Sequence, residues 1–354
     1  MQWSIGHQPY YREDQKMKTP EERQFTGCLI GQCLGDASGF IVEGHPPHVC
    51  RQYVDRILRT GELEGQRRGH FPFGQYSDDS QLARELLQSV VMCGTFEPSE
   101  YANRIASIFH ENRIVGRGRA TEEAARKLIA GIPWEKAGAP PPSAGNGSAM
   151  RAGPIGLLFY DDPQRMILAA HDQGRITHQD PRCSAGAIAI AGAVALGLRE
   201  KTINLPRFLF QLSEWVRPYD GVLADAFEHM PAWVQLPPDN AVSLISRIGL
   251  APDYSDGWRG ISPFVTGSVL WSVYAFLRSP DDYWESICLA IAVGGDVDTT
   301  AAMTGAISGA HVGLEGIPLS LAKQLNDNGT WTYDELVELA CACYSLTKMK
   351  GVKA

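Results

Sequence analysis

The sequence lacks several features that would place it in a specialised class. Its eight cysteines include no C-x-x-C pair, so neither a zinc module of paired cysteines nor a dense disulfide framework is expected. Basic residues are not in excess, because 40 acidic residues outnumber 32 basic ones and give a net charge of −8. Affinity for a phosphate backbone depends largely on clustered Lys and Arg, so nucleic acid is not expected as a partner.

Long apolar segments are also missing. The first 18 residues contain no apolar core of the kind that a secretory signal carries. The longest stretch without charged or strongly polar residues, 185–198, is shorter than the roughly 20 residues that cross a bilayer as a helix. We therefore expect a cytoplasmic protein that makes no contact with membranes.

Helical periodicity dominates what is present. Apolar residues recur at three- and four-residue intervals, as in Leu82, Leu86 and Val90, whereas alternating strands are scarce. The chain is 44% hydrophobic and 20% charged, which is typical of a globular protein and excludes a disordered one. No low-complexity linker or fixed-period repeat divides it. The sequence predicts one all-α domain of many short and medium helices.

Small residues recur every four positions in three segments. They are Gly27, Gly31, Gly35 and Gly39, then Ala185, Ala189 and Ala193, and finally Gly305 and Gly309. Such residues lie on one face of a helix, and a face without large side chains lets two helix backbones, or a helix and a ligand, approach closely. Tight helix packing explains most of these glycines, but it does not explain the acidic residues beside them.

Two acidic motifs stand at the expected starts of helices. YSDDS (76–80) precedes an amphipathic stretch, and GGDVDTT (294–300) precedes a run of small residues. Taken singly, each is well explained as a helix cap. A hydroxyl with two carboxylates is also a set of hard oxygen ligands for Mg²⁺ or Mn²⁺. In the second motif no Lys or Arg is adjacent to balance the carboxylates, which favours a metal.

Two further segments carry candidate residues with weaker signals. GDASGFIVE (35–43) adds Asp36 and Glu43, which singly would be ordinary solvated acids. SAGNGSAMR (143–151) contains a Gly-Asn-Gly turn whose backbone N–H groups could cradle a phosphate, although a plain loop explains it equally well. His178, in ITHQDP (176–181), is by itself better explained as a capping or core histidine.

Taken together, these motifs resemble the ADP-ribosylglycohydrolase family, which includes dinitrogenase reductase-activating glycohydrolase and the ADP-ribosylarginine hydrolases of animals. The matching pieces are GCLIGQCLGDASGFIVEG, YSDDS, GRGRAT, GNGSAMR, ITHQDP and GGDVDTTAAMTGAISGA. The last of these, combined with YSDDS, makes the resemblance specific. It implies a compact, single-domain orthogonal helical bundle over residues 25–350, with residues 1–24 as an N-terminal extension.

The resemblance also implies a site with two divalent cations, Mg²⁺ or Mn²⁺, at the base of a cleft. The implied metal ligands are Ser77, Asp78, Asp79, Asp296, Asp298 and Thr299. The residues implied to hold the pyrophosphate and ribose are Gly118, Ser143, Gly145, Asn146, Gly147 and His178. Asp78, Asp79 and Glu43 are implied as catalytic, and Asp36 as a residue that orients the metal ligands.

Two positions depart from the pattern of the family. Ser77 stands where the family usually has Thr, so the ligand lacks the methyl group that fixes the rotamer. Ala144 stands where one relative has Tyr, so no stacking or hydroxyl contact arises from that position.

The activity that the resemblance implies is hydrolysis of the bond between mono-ADP-ribose and a protein side chain. Asp78 or Asp79 would act as the base on a water molecule, and the reaction would pass through an oxocarbenium-like state. Arginine is the first choice of linkage, because bacterial and animal relatives most often act there. Serine-linked, nucleic-acid-linked and small-molecule conjugates stay open.

A non-enzymatic function is the alternative from a different class. The family includes members that have lost catalysis, among them a lens crystallin, so a catalytically silent ADP-ribose-binding or structural protein stays open. The acidic set discriminates between the two. An inactive relative would be expected to lose at least one of the aspartates 78, 79, 296 and 298, and this chain keeps all of them.

The segment before Gly27 carries its own prediction. It contains four acidic and four basic residues together with Trp3, Tyr10 and Tyr11. A leader or a strap packed on the domain is the simpler interpretation. The alternative is a recognition arm, because Trp and Tyr anchor protein interfaces. An immunity protein could use such an arm to block a cognate ADP-ribosyltransferase toxin while its cleft reverses the modification.

Overall fold

Helices account for nearly all regular structure in the residues that the computed structural model describes, 19–251 and 253–351. The α-helices are α1 (Glu22–Phe40), α2 (Pro47–Tyr53), α3 (Asp78–Cys93), α4 (Pro98–His110), α5 (Arg119–Ile129), α6 (Trp134–Ala137), α7 (Gly153–Leu158), α8 (Pro163–Arg175), α9 (Pro181–Arg199), α10 (Leu205–Val216), α11 (Gly221–Trp233), α12 (Pro238–Ile245), α13 (Val265–Arg278), α14 (Tyr283–Ala292), α15 (Val297–Val312), α16 (Leu319–Ala322) and α17 (Tyr333–Gly351). A short antiparallel hairpin joins β1 (Arg67–Arg68) to β2 (Phe71–Pro72). The predicted all-α class is confirmed.

Helices α1 and α15 lie antiparallel in direct backbone contact at the centre of the fold. A Cβ atom built on any of the four glycines of α1 would stand 2.2–2.4 Å from a carbonyl oxygen of α15. From Gly27 to Gly39 those oxygens belong, in order, to Gly309, Gly305, Ala301 and Val297. The four-residue spacing therefore marks a face on which backbone packs against backbone, as the sequence predicts.

Helix α9 packs against α15. Its small-residue face at Ala185, Ala189 and Ala193 is fully buried. Among the described residues, α9 is the one helix long and apolar enough to cross a membrane by length and composition, yet 89% of its apolar window is buried within the fold. A helix that is apolar on all sides and covered by protein is typical of the core of a large domain.

The first helix, α1, is capped at its N-terminal end by Glu21. The side chain of Glu21 accepts a hydrogen bond from the backbone of Gln24, and the Gln24 side chain accepts one from the Glu21 backbone at 3.2 Å, which forms a capping box. The predicted boundary between extension and domain, after residue 24, therefore falls inside α1. Residues 1–18, with Trp3, Tyr10 and Tyr11, lie outside the described residues.

Replacing Gly31 with alanine is expected to lower the free energy of unfolding by about 1–3 kcal/mol, because the new methyl group meets a backbone carbonyl in a closely packed contact. Gly221→Ala is the matched control. Gly221 is the first residue of α11, and a Cβ built there has no neighbour within 4 Å, so alanine leaves stability unchanged or raises it slightly. Urea unfolding of the three proteins measures both effects. Equal stability of Gly31→Ala and the wild type would contradict the packing.

Candidate active site

A cleft with a volume of about 770 Å³ opens where α3 and α15 begin. Most of the predicted site residues line it: Glu43, Asp78, Asp79, Gly118, Ser143, Gly145, Asn146, Gly147, His178, Asp296, Asp298 and Thr299. Ser77, the remaining predicted metal ligand, is buried beside Asp79, and its hydroxyl donates to Asp79 Oδ2 at 2.8 Å. The fold thus gathers motifs from distant parts of the chain around one cavity.

The start of α3 is fixed by an acidic residue of α1. Asp36 is fully buried and accepts the backbone N–H groups of Ser77 and Ser80, both at 3.0 Å. Ser77 is the N-cap residue, and its Oγ accepts the N–H of Asp79 at 3.4 Å. The capping interpretation of YSDDS therefore describes the local structure. It is compatible with a ligand function, because the capped turn directs Asp78 and Asp79 to the cleft.

A similar arrangement stands at the start of α15. The Nδ2 group of Asn146 donates to one carboxylate oxygen of Asp296, and the hydroxyl of Thr299 donates to the other at 3.2 Å. The backbone N–H of Thr299 donates to Asp298 Oδ1 at 2.9 Å. Gly295, with a φ of +90°, lets the backbone of Ile261 approach so closely that a Cβ there would stand 2.0 Å from its carbonyl oxygen. The glycines of GGDVDTT therefore place the two carboxylates.

Glu43 lies next to the two aspartates at the start of α15. One carboxylate oxygen each from Glu43, Asp296 and Asp298 fall within 4.8 Å of one another. Arg68 of the hairpin donates to Glu43 and, at 3.1 Å, to the carbonyl of Phe40. The guanidinium of Arg68 also lies 4.5 Å above the centre of the Phe40 ring. The half-buried Glu43 thus sits between a cation and an acidic cluster.

Burial raises the pKa values of five aspartates at the starts of α3 and α15, which are Asp36, Asp78, Asp79, Asp296 and Asp298. Desolvation is the largest cause at each of them, and at the four cleft aspartates the like charge of neighbouring carboxylates adds to it. The pKa rises to about 7 at Asp78 and Asp296 and to about 6 at Asp36. At Asp79 and Asp298 it rises well above its ordinary value. A nearby positive charge would stabilise the ionised form of each of these aspartates.

The donor set fits a divalent cation. Every candidate atom is a carboxylate or hydroxyl oxygen, and hard oxygen ligands are those that Mg²⁺ and Mn²⁺ prefer. Asp79 Oδ1 is buried and has no hydrogen-bond partner among the described residues. A buried anionic oxygen of that kind is costly unless a cation or a donor meets it. The acidic cluster is therefore suited to hold metal, and Asp79 supplies an oxygen that the protein itself leaves unpaired.

The other wall of the cleft is made by the Gly-Asn-Gly turn and His178. The imidazole packs against the turn so closely that a Cβ on Gly147 would stand 2.7 Å from its Cε1 atom. Burial and the nearby Arg151 lower the pKa of His178 to about 3. The N–H of Asn146 donates to the Pro263 carbonyl at 2.9 Å, so it is occupied within the protein and does not serve the predicted phosphate cradle.

Several cleft residues were not predicted as site residues, although two of them lie in the GRGRAT motif. Arg117 and Arg119 flank Gly118, and Tyr254, Trp258 and Phe264 come from the irregular segment between α12 and α13. This segment shows no helical periodicity, so its aromatic residues gave no signal beyond their type. Tyr254, Trp258 and Phe264 supply aromatic rings to the cleft, whereas Ala144, which also lines it, has no ring.

Comparison with known proteins agrees with this geometry. A sequence model of the ADP-ribosylglycohydrolase family matches residues 17–352. The chain is 29% identical to the ADP-ribosylhydrolase ARH3 of Homo sapiens, over 84% of this chain and 87% of that protein. It is 26% identical to the ADP-ribosylarginine hydrolase Tri1 of Pseudomonas putida, over 85% of this chain and 74% of that protein.

A solved structure shares the fold. It is described as an ADP-ribosylglycohydrolase-related protein complex, and it matches with a TM-score of 0.70 and 25% identity over 92% of this chain and 98% of that one. The predicted compact helical domain and the predicted activity class, a glycohydrolase that removes ADP-ribose, are confirmed by these matches. The chain belongs to the ADP-ribosylglycohydrolase family.

Proposed function

We propose that this protein removes mono-ADP-ribose from modified arginine side chains with two divalent cations, Mg²⁺ or Mn²⁺. The observation that carries the proposal is the set of buried carboxylates gathered at the starts of α3 and α15. Their raised pKa values mean that the fold concentrates negative charge in the cleft without enough positive charge of its own.

The cations would be held by Ser77, Asp78, Asp79, Asp296, Asp298 and Thr299, with Glu43 beside them. When bound, they supply positive charge that offsets the carboxylates and orients the ribose hydroxyls. Ser77 suits this function although it replaces the usual Thr. Its hydroxyl hydrogen is already donated to Asp79, so a lone pair of the oxygen remains for a cation.

The reaction breaks the bond between C1″ of the ribose and a nitrogen of the guanidinium group. The electron pair of that bond leaves with the nitrogen, so the cationic group departs as a neutral guanidine and takes up a proton afterwards. A water oxygen forms the new bond to C1″, and Asp78 or Asp79 accepts its proton. The carboxylates of the cleft face the positive charge that develops on the ribose ring.

An arginine conjugate suits the charges in this cleft. Its guanidinium places a cation next to the bond to be broken, where the acidic residues attract it. A serine conjugate would leave as an alkoxide and would need a proton donor, and His178, with its pKa lowered to about 3, does not supply one near neutral pH. The relative Tri1, which carries the name of an ADP-ribosylarginine hydrolase, supports the same choice.

Asp298→Asn is expected to lower the rate of ADP-ribose release by more than about 100-fold, because even a supporting group of a metal site is worth up to that factor. Its fold should persist, since the amide is isosteric and removes a repelling charge. Asp239→Asn is the matched control, because the Asp239 side chain is 78% exposed and pairs with Arg51 away from the cleft. Free ADP-ribose released from an arginine-linked substrate is the measurement, with a thermal melt for folding.

The same arginine-linked substrate tests whether hydrolysis depends on a divalent cation. Wild-type activity in excess chelator would contradict the dinuclear site. Calorimetric titration with Mg²⁺ should also show an affinity that falls as the pH is lowered through about 7. Protons and cations compete for Asp78 and Asp296, whose raised pKa values leave them protonated below that range.

A panel of defined substrates tests the linkage. Arginine-, serine- and DNA-linked ADP-ribose are incubated with the protein and Mg²⁺, and free ADP-ribose is measured. Release is expected to be fastest from the arginine conjugate, because its leaving group needs no acid. Faster release from the serine or DNA conjugate would overturn the arginine proposal while leaving the glycohydrolase activity intact.

We further propose that the segment preceding α1 binds a cognate ADP-ribosyltransferase, so that the protein acts as an immunity protein that both blocks the transferase and reverses its modification. Trp3, Tyr10 and Tyr11 support this proposal, because aromatic residues anchor interfaces, and the mixed charges around them suit a polar rim.

Deleting residues 1–18 separates these two functions. The deletion spares the capping box of α1, so metal-dependent hydrolysis is expected to be unchanged. Binding to a purified cognate transferase should weaken, as measured by calorimetry. Equal affinity of the full-length and shortened proteins would remove the proposal of a recognition arm.

A further inference from the structure

A buried arginine lies behind the wall of the cleft and does not contact it directly. Arg151 is fully buried at the end of the SAGNGSAMR segment. Its Nε donates to Gln173 Oε1 at 3.0 Å, and one terminal nitrogen donates to the Gln173 carbonyl at 3.0 Å and to Thr177 Oγ1 at 2.7 Å. The guanidinium also lies 5.6 Å from the centre of the Tyr101 ring. Helix α8 and the turn after it therefore hold the charged group in one orientation.

Thr177 connects this arginine to His178. The Thr177 hydroxyl oxygen is 2.8 Å from His178 Nδ1. A guanidinium is a donor only, so the hydroxyl oxygen must accept from Arg151. The hydroxyl hydrogen is then free for another acceptor, and among the described residues Nδ1 is the acceptor within reach. The hydroxyl oxygen could accept a second hydrogen bond from a protonated Nδ1, but its own hydrogen would then be buried without a partner, so donation to Nδ1 is the arrangement that satisfies all three groups.

The opposite nitrogen of His178 lies against Gly145 and Gly147, which line the cleft together with the histidine. The imidazole packs on the Gly-Asn-Gly turn, where a Cβ on Gly145 would stand 3.4 Å from Nε2. His178 lines the cleft, and its Nε2 has no hydrogen-bond partner among the described residues. Since Nδ1 accepts a hydrogen bond, a neutral imidazole must carry its hydrogen on Nε2.

We propose that Arg151 and Thr177 are positioning residues that hold His178 as a neutral imidazole with its hydrogen on Nε2, and that this N–H donates to an acceptor oxygen of the bound ligand. The ligand oxygen is a phosphate oxygen or a ribose hydroxyl, which rests on the proposed function. Burial of the ring and the positive charge of Arg151 both oppose a second proton and outweigh the attraction of Asp180, in agreement with the lowered pKa of His178. The cleft thereby offers a donor whose state is constant across the physiological pH range.

The tautomer is tested directly by nitrogen NMR of protein with ¹⁵N-labelled histidine. His178→Gln identifies the His178 signals by their loss. The expected spectrum shows a protonated Nε2 and an unprotonated Nδ1, without titration from about pH 5 to pH 8. A protonated Nδ1, or an imidazolium within that range, would overturn the proposal. This readout involves no hydrolysis, so it stands or falls separately from the arginine-hydrolase proposal.

Variants of Thr177 test the effect on binding. Thr177→Val removes the hydroxyl, so both ¹⁵N shifts of His178 should move, and affinity for ADP-ribose in Mg²⁺ should fall about tenfold, the size of one lost hydrogen bond. Thr177→Ser restores the hydroxyl, so the ¹⁵N shifts of His178 and the affinity for ADP-ribose should return to their wild-type values. Unchanged shifts or unchanged affinity in a folded Thr177→Val protein would overturn the proposal.

Ser184→Ala provides the matched control. The Ser184 hydroxyl lies 2.9 Å from Nδ1 of His171, which is the same pairing at a place outside the lining of the cleft. Its loss should move the His171 signals alone and leave the affinity for ADP-ribose unchanged. A fall in affinity equal to that of Thr177→Val would assign the effect to general destabilisation and overturn the specific role of Thr177.

Discussion

The backbone contact between α1 and α15 is the constraint on which the rest of the structure depends. Because the helices run antiparallel, the C-terminal end of α1 meets the N-terminal end of α15. A Cβ on Gly39 would stand 2.6 Å from the backbone of Asp298, so the absence of a side chain there lets Glu43, just beyond the helix, reach the aspartates of α15. The glycine face thus decides both how the core packs and where the carboxylates converge.

The acidic residues of the site are buried, and they lie at the N-terminal ends of two helices. Asp36 and Ser77 hold the first turn of α3, and Asp296 is the N-cap residue of α15, so the carboxylates stand where the N-terminal ends of two helices stabilise negative charge. That local stabilisation is smaller than the cost of burying so many acids, as their raised pKa values show. The capping of these helix starts therefore does not compete with the proposed metal site.

The helical fold class and the close packing of α1 could be predicted from local patterns, whereas the roles of the site residues were predicted from the resemblance to the family. Four-residue glycine spacing marks a helix face, and acidic pairs after a turn mark a helix start. Residues that act through distant packing could not be predicted in this way. Arg68 beside Glu43 comes from a two-residue strand, and the aromatic residues Tyr254 and Trp258 lie in a segment without periodicity. The approach of Glu43 to Asp296 and Asp298 likewise depends on tertiary geometry, which spacing does not encode.

The pairing of the first helix with one of the last has a consequence for how the chain is made. Gln24 in α1 donates to the carbonyl of Ala310, 286 residues further along. During synthesis from the N-terminus, α1 emerges with its bare glycine face and no surface to cover it until nearly the whole chain has left the ribosome. Contacts so distant in sequence form slowly, and the exposed intermediate is prone to aggregate. The cleft is therefore completed late, and truncated chains that end before α15 lack Asp298 and Thr299.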